Sequence, residues 1–66
     1  MSIGENIKSL RLENKMTQSK LASLLFTSQD TISLWECNKS LPDVKSIIKL
    51  ATIFNVTTDY ILGVER

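Results

Sequence analysis

The stretch TQSKLASLLFTSQDTISLWECNKSLPD, residues 17–43, decides the fold of this chain. Thr17 and Ser28 are residues of the type that begins helices, because a side-chain hydroxyl accepts a hydrogen bond from a free N–H of the first turn. The apolar residues after each of them recur every three or four positions, as on the buried face of a helix. They are Leu21, Ala22 and Leu25 after Thr17, and Ile32 and Trp35 after Ser28. The stretch therefore predicts two short consecutive helices.

Only about three residues, 26–28, separate the two predicted helices. Such a short connection forces a sharp angle and leaves the second helix, from Gln29 to about Cys37, projecting from the body of the domain. That arrangement is a helix-turn-helix. A pair of short helices is weak evidence on its own, because many small bundles contain one, so the flanking sequence has to agree with it.

A helix is also predicted before this pair. Ser2 and Glu5 have the spacing of a capping box, in which the Ser hydroxyl accepts from a backbone N–H three residues on and the Glu carboxylate reaches back. The helix that they begin is expected to run to about Asn14. Its inner face is formed by Ile3, Ile7 and Leu10.

Two more helices are predicted after the pair. Pro42 and Asp43 break the chain and start a fourth helix. Asn55 suits the left-handed turn that ends it, and Thr57 caps a short fifth helix through about Leu62. The expected core positions of the fourth helix are Val44, Ile47, Leu50, Ala51 and Phe54. The expected fold is thus all-α, a compact five-helix domain that occupies residues 1–66 without a repeat or a linker.

The composition limits the kind of protein. A chain of 66 residues makes one small domain, which buries only about 60% of the surface that its unfolded form exposes. The single Cys37 cannot close an intramolecular disulfide, and without a His a metal site is not expected. No long apolar run marks a signal peptide or a membrane span, so we expect a soluble protein of the reducing cytoplasm.

Charge and residue types also narrow the function. Eight basic and seven acidic residues leave a net charge of +1, which does not by itself favour a polyanionic partner. Binding to nucleic acid must therefore rest on local geometry. An enzyme is not expected, because the chain has no His, no cluster of metal ligands and no Gly-rich phosphate loop. No cofactor or small-molecule ligand is indicated.

Residues 17–43 resemble the DNA-binding domains of the Cro and lambda-type phage repressors, the XRE-like family. The five-helix layout extends the resemblance over nearly the full chain. The matching pieces are Arg11, "TQ" and "LA" in the second helix, "TSQDTIS" opening the third, "WE", the "LPD" turn, "LA" in the fourth helix and "VTTDYILG" at the end. The resemblance implies a lambda-repressor-like fold with the helix-turn-helix at about residues 17–37, and a third helix that lies in the major groove of double-stranded DNA.

By position in that family, four residues of the third helix look like the base-facing set: Gln29, Asp30, Ser33 and Leu34. Their chemistry is suitable. Gln29 can pair bidentately with adenine N6 and N7, Asp30 can accept from cytosine N4, and Leu34 can pack on a thymine methyl group. The alternative is that these are solvated surface residues.

A second set of polar residues is expected at the DNA backbone. A helix N-terminus offers free N–H groups and a positive dipole end, and a lysine adds a full charge. The residues are Gln18, Thr27, Ser28, Thr31, Asn38, Lys39 and Ser40. For Thr27 and Ser28, helix capping alone is an alternative, and Thr31 can serve bases or phosphates.

Arg11 and Glu36 look like the buried ion pair that joins the first helix to the end of the third in this family. The alternative is two unrelated surface charges. Three positions depart from the family pattern: Phe26 and Asn38 replace habitual glycines, and Cys37 replaces a polar or basic residue. Phe26 is strained if it keeps a positive φ, whereas Asn tolerates the left-handed region.

The sequence thus predicts a sequence-specific transcriptional regulator, a repressor of phage or bacterial genes, that binds an inverted-repeat operator. One short helix reads few base pairs, so a homodimer is expected through the fourth and fifth helices, with Val56, Tyr60 and Val64 as contacts. Alternatively, Tyr60 covers the core of a monomer. A second hypothesis is a protein-binding module, an antirepressor or assembly partner with little DNA affinity, which apolar residues at Leu12, Ile48 and Ile53 would suit.

Overall fold

The computed structural model describes residues 2–64, and its helices confirm the predicted all-α fold. Each helix begins after a residue whose side chain accepts a hydrogen bond from the backbone N–H three residues on. These N-cap residues are Ser2, Thr17, Ser28, Asp43 and Thr57. The helices are α1 (Ile3–Glu13), α2 (Gln18–Leu24), α3 (Gln29–Glu36), α4 (Val44–Phe54) and α5 (Thr58–Leu62).

One hydrophobic core holds the five helices together. Every helix contributes one side chain with no exposed surface to it; these are Ile7, Leu21, Ile32, Leu50 and Ile61. α3 packs against α1 and α2, whereas α5 packs against α1 and α4. α1 therefore contacts α3 of the helix-turn-helix pair and also both α4 and α5.

The expected core position at Val44 is wrong. Val44 is 74% exposed, whereas Leu50, Ala51 and Phe54 of the same helix are buried. It is the first residue of α4 and lines an open groove between α4 and α5. Its spacing fits the inner face of the helix, but no other element covers that end.

Three turns have a residue other than glycine at positive φ: Phe26 (56°), Asn38 (59°) and Asn55 (56°). A left-handed turn was predicted at Asn55, and Phe26 and Asn38 stand where the family usually has glycine. Lys15 (φ 56°), in the turn between α1 and α2, is a fourth and was not expected. A lysine has no side-chain chemistry that favours the left-handed region, so nothing local identified it.

None of the helices between residues 2 and 64 is long and apolar enough to cross a membrane.

Candidate nucleic-acid interface

The connection between α2 and α3 is a tight turn of four residues, 25–28, one more than the sequence analysis counted. Leu25 is buried in the core, which fixes the end of α2. The N–H of Phe26 donates to Ser23 O at 3.2 Å and the N–H of Thr27 donates to Ala22 O at 3.0 Å. The turn is thus closed by backbone hydrogen bonds, and the left-handed conformation of Phe26 completes it.

One face of α3 contains all four residues that were expected to contact bases. At about 100° per residue, positions i, i+1, i+4 and i+5 share one side of a helix; here they are Gln29, Asp30, Ser33 and Leu34. Gln29 and Asp30 are exposed, Leu34 is 44% exposed and Ser33 is half-buried. The opposite face packs Ile32 and Trp35 into the core. The outward side therefore offers an amide, a carboxylate, a hydroxyl and an apolar group together.

The end of α3 is held to α1 by the ion pair expected between Arg11 and Glu36. Two bonds join them: Arg11 Nε to Glu36 Oε2 at 2.7 Å and Arg11 Nη2 to Glu36 Oε1 at 3.1 Å. Arg11 Nη1 also donates to Met16 O at 2.8 Å. Both residues are only 8% exposed, and the hydrogen bond with Glu36 raises the pKa of Arg11. The pair is therefore a buried, bidentate connection and not two surface charges.

The hydrogen-bonded network of this ion pair continues to the exposed face of α3. Gln18 Nε2 donates to Glu36 Oε1 at 3.1 Å, and Gln29 Nε2 makes a long contact of 3.5 Å with Gln18 Oε1. Gln18 is half-buried. The sequence alone does not connect Gln18 with Gln29, because residues eleven positions apart have no fixed relation until α2 and α3 pack.

The residues expected at the DNA backbone lie at both ends of α3. At its start, Ser28 Oγ accepts from the N–H of Thr31 at 3.2 Å, and the two hydroxyls are 2.9 Å apart, while Thr27 is half-buried. Beyond its end, Lys39 and Ser40 are exposed. The two groups are thus separated by the length of α3.

Asn38 has internal contacts that were not predicted from the sequence. Its Oδ1 accepts from the N–H of Gly4 at 3.1 Å, and its Nδ2 donates to Ser2 Oγ at 3.0 Å. The side chain that was expected to meet a phosphate therefore binds the start of α1. A pattern within residues 17–43 gives no sign of this, because the partners lie at the other end of the sequence.

A second exposed surface lies on α4 and α5. Tyr60 is 39% exposed and Val64 is 59% exposed, but Val56 is half-buried against the core. Beside them is the α4–α5 groove, of about 330 Å³, which we define by its lining residues, Val44, Ile47, Ile48, Thr58 and Leu62. Of the apolar residues singled out for a protein partner, Leu12 and Ile48 are exposed, whereas Ile53 packs against the core.

A family model described as helix-turn-helix matches residues 7–61, a range that includes both halves of the Arg11–Glu36 pair and the whole of α3. The chain belongs to the Cro/C1-type (XRE) helix-turn-helix family. The resemblance of residues 17–43 indicated the same family, and the family match confirms that prediction.

Two curated relatives of this XRE-family chain are transcriptional regulators. This chain is 35% identical over 66 residues to the HTH-type transcriptional activator BcrR of Enterococcus faecalis. The alignment covers 100% of this chain and 32% of BcrR. The chain is also 35% identical over 66 residues to the HTH-type transcriptional regulator ImmR of Bacillus subtilis (strain 168), of which it covers 52%. The chain thus spans about a third of the length of BcrR and about half of the length of ImmR.

A solved structure of the same fold contains DNA. The P22 c2 repressor in complex with synthetic operator 9T superposes with a TM-score of 0.91 and 26% identity, over 98% of both chains. This XRE-family chain therefore has the lambda-repressor-like fold that was predicted.

Proposed function

We propose that residues 1–66 form the DNA-binding domain of a sequence-specific transcriptional regulator, a repressor of phage or bacterial genes that acts in the cytoplasm. The observation that supports this most is the exposed polar side of α3, on a helix whose other side is fixed by the core and by the buried Arg11–Glu36 pair. A rigid helix with hydrogen-bonding groups on one side suits the major groove of DNA. The P22 c2 repressor has the same fold in a complex with operator DNA.

In this proposal, the outward side of α3 reads the bases. Gln29 pairs with adenine N6 and N7, Asp30 accepts from cytosine N4, and Leu34 packs on a thymine methyl group, with Ser33 as a further hydrogen-bonding group. The contact between Gln29 and Gln18 supports the assignment, since it limits the orientations of the Gln29 amide.

The polar residues at both ends of α3 bind the DNA backbone. Gln18, Thr27, Ser28 and Thr31 surround the N-terminus of α3, where the helix dipole favours a phosphate. Lys39 and Ser40 follow its C-terminal end, and Asn38 has one amide hydrogen left for such a contact after its bond to Ser2. These contacts position the helix and carry little sequence information.

The regulator binds as a homodimer formed through α4 and α5. Tyr60 and Val64 are the exposed contacts, and Val56, which is half-buried against the core, is the third. A two-fold dimer presents two copies of α3 on one side of the duplex, about 34 Å apart, which requires an inverted-repeat site. The function is binding and not catalysis, so no cofactor is involved.

Selection of bound duplexes from a random pool tests the proposal. The expected result is an inverted repeat whose half-sites are centred about one helical turn apart. A collection of unrelated bound sequences, or of single asymmetric half-sites, would contradict the dimeric mode of binding.

A protein-binding module is the second candidate function, and the exposed apolar side chains favour it. Phe26 is 90% exposed and Leu41 is 70% exposed, and Val44 with Ile48 borders the α4–α5 groove. If the chain binds no member of the duplex pool even at low salt, where phosphate contacts are strongest, this candidate replaces the first.

A further inference from the structure

The chain reverses direction as it leaves α3, in residues 38–40, which we call the exit segment. Asn38 turns the backbone with a φ of 59°. The N–H of Lys39 then donates to Leu34 O at 2.9 Å, and that of Ser40 donates to the same oxygen at 3.4 Å. The exit segment thus folds back on the last turn of α3, and Lys39, the proposed phosphate contact, follows Asn38 directly.

The side chain of Asn38 binds the exit segment to the N-terminus of α1. The N–H of Gly4 is one of the first-turn donors that a helix cannot satisfy by itself, and Asn38 Oδ1 accepts it at 3.1 Å. The Nδ2 of Asn38 donates to Ser2 Oγ at 3.0 Å, and this oxygen also caps α1 by accepting from Glu5 N–H. One amide therefore joins the exit segment to two residues at the start of α1, Gly4 and Ser2, which are 34 and 36 positions away in the sequence.

Gly4 allows this close approach. A Cβ at position 4 would lie 2.7 Å from Asn38 Oδ1 and would overlap the carbonyl oxygen of Trp35. That oxygen belongs to the backbone of α3 and cannot move aside without shifting the helix. Any larger residue at position 4 therefore pushes α1 away from the end of α3.

We infer that Ser2 and Gly4 are positioning residues for DNA binding: through Asn38 they fix the exit segment, and with it Lys39, relative to the base-reading side of α3. This inference rests on the proposed function, and it gives Asn38 an indirect role in addition to any phosphate contact. Without the amide, the exit segment is held by backbone bonds alone: Asn38 N–H to Trp35 O at 3.0 Å and the two N–H bonds to Leu34 O, one of which is long. A phosphate contact depends on such placement. Once α3 lies in the major groove, the positions of the phosphates relative to the protein are set, and the Lys39 ammonium group must reach one of their oxygens.

The two halves of the capping box provide a matched pair of variants. Ser2→Ala removes the hydroxyl to which Asn38 donates. Glu5→Ala removes the carboxylate oxygen that accepts from Ser2 N–H at 3.1 Å and from Ser2 Oγ at 3.0 Å, but it keeps the hydroxyl to which Asn38 donates. Both weaken the start of α1, so they should lower the melting temperature similarly. Affinity for the selected duplex is measured at several salt concentrations, at a temperature where circular dichroism shows both variants folded.

Ser2→Ala should bind the selected duplex about three- to tenfold more weakly, the effect of one or two lost hydrogen bonds. It should also reduce the salt dependence toward that of a variant without the Lys39 charge. Glu5→Ala should retain the wild-type affinity and salt dependence, and Ser2→Thr, which keeps a hydroxyl, should restore both. Equal affinities for Ser2→Ala and Glu5→Ala would overturn the inference.

Asn38→Gly separates the positioning role from a direct phosphate contact, because glycine keeps the left-handed turn but has no amide. The inference expects Asn38→Gly to weaken binding at least as much as Ser2→Ala, and the double variant to bind no more weakly than Asn38→Gly. Independent, multiplying losses would overturn it in favour of direct contact by Asn38. A wild-type chain that binds no duplex would instead overturn the proposed function, and the inference with it.

Discussion

Gln29 has the best position of any single residue for reading a base, since it is exposed at the start of α3 and its amide touches Gln18. Gln29→Ala should weaken binding to the selected site by about 1 to 3 kcal/mol and flatten the preference at one base position. Competition among single-base variants of the site measures this. A uniform loss over all sequences would make Gln29 a backbone contact instead.

Lys39 should behave in the opposite way. Its charge acts on phosphates, so Lys39→Ala should weaken selected and random duplexes alike and lower the slope of log affinity against log salt by roughly one unit. Lys8, an exposed lysine on α1, is the control, and Lys8→Ala should leave that slope unchanged. If both variants give the wild-type slope, Lys39 is not in the interface.

At the scale of the helices, the Arg11–Glu36 pair is a buried, bidentate connection between α1 and α3. Glu36→Ala leaves a guanidinium buried without its partner, which costs about 3 to 5 kcal/mol of folding free energy. Thermal melting should show a large fall, whereas removal of the exposed carboxylate in Glu13→Ala should change little. Comparably small effects of the two substitutions would mean that the pair contributes little to stability.

The helix caps make stability depend on pH. The Ser46 hydroxyl and N–H lower the pKa of Asp43, and the backbone N–H and hydroxyl of Ser2 lower the pKa of Glu5. Both carboxylates therefore bind protons more readily in the unfolded chain than in the folded one. Their contribution to folding stability is complete above the ordinary carboxylate pKa range, near pH 4 to 4.5, and is lost as the pH falls through their lowered pKa values in the folded chain.

Asp43→Asn should make the melting temperature less sensitive to acid, because an asparagine caps α4 without titrating. Melting curves between about pH 6 and pH 3 compare it with the wild type. The same acid sensitivity in both proteins would show that Asp43 does not contribute to it.

The elements were predictable from local chemistry to different degrees. All five helix starts follow from a capping side chain that acts within three residues of itself, so the sequence contains that information. The Arg11–Glu36 pair was available from the family resemblance. Val44 was misjudged because α5 does not cover it, and the contacts of Asn38 with the start of α1 were not predicted because these partners come from another element.

At the scale of the whole molecule, the proposed dimer is tested by two exposed residues. Tyr60→Asp combined with Val64→Asp should abolish binding to the full inverted repeat, because four like charges would then face each other across the two-fold axis. Val56 is left intact, since it packs against the core. Circular dichroism should show a folded domain, and Leu12→Asp, on the exposed side of α1, is the control.

Sedimentation of each variant with a duplex of the full site gives the number of chains bound. We expect two bound chains per duplex for the wild type and for Leu12→Asp. The double variant at the same concentration should show no bound chain. Full affinity in the double variant would place the interface elsewhere, with the α4–α5 groove as the next surface to test.

The shared core also affects how the protein responds to heat. Since each helix supplies one fully buried side chain to the same cluster, no helix can detach without exposing part of that cluster to water. Unfolding should therefore be all-or-none, and α3 should lose its shape at the same temperature as the rest of the domain. A DNA site that binds only the folded form then protects every helix equally, and raises the melting temperature further as its concentration increases.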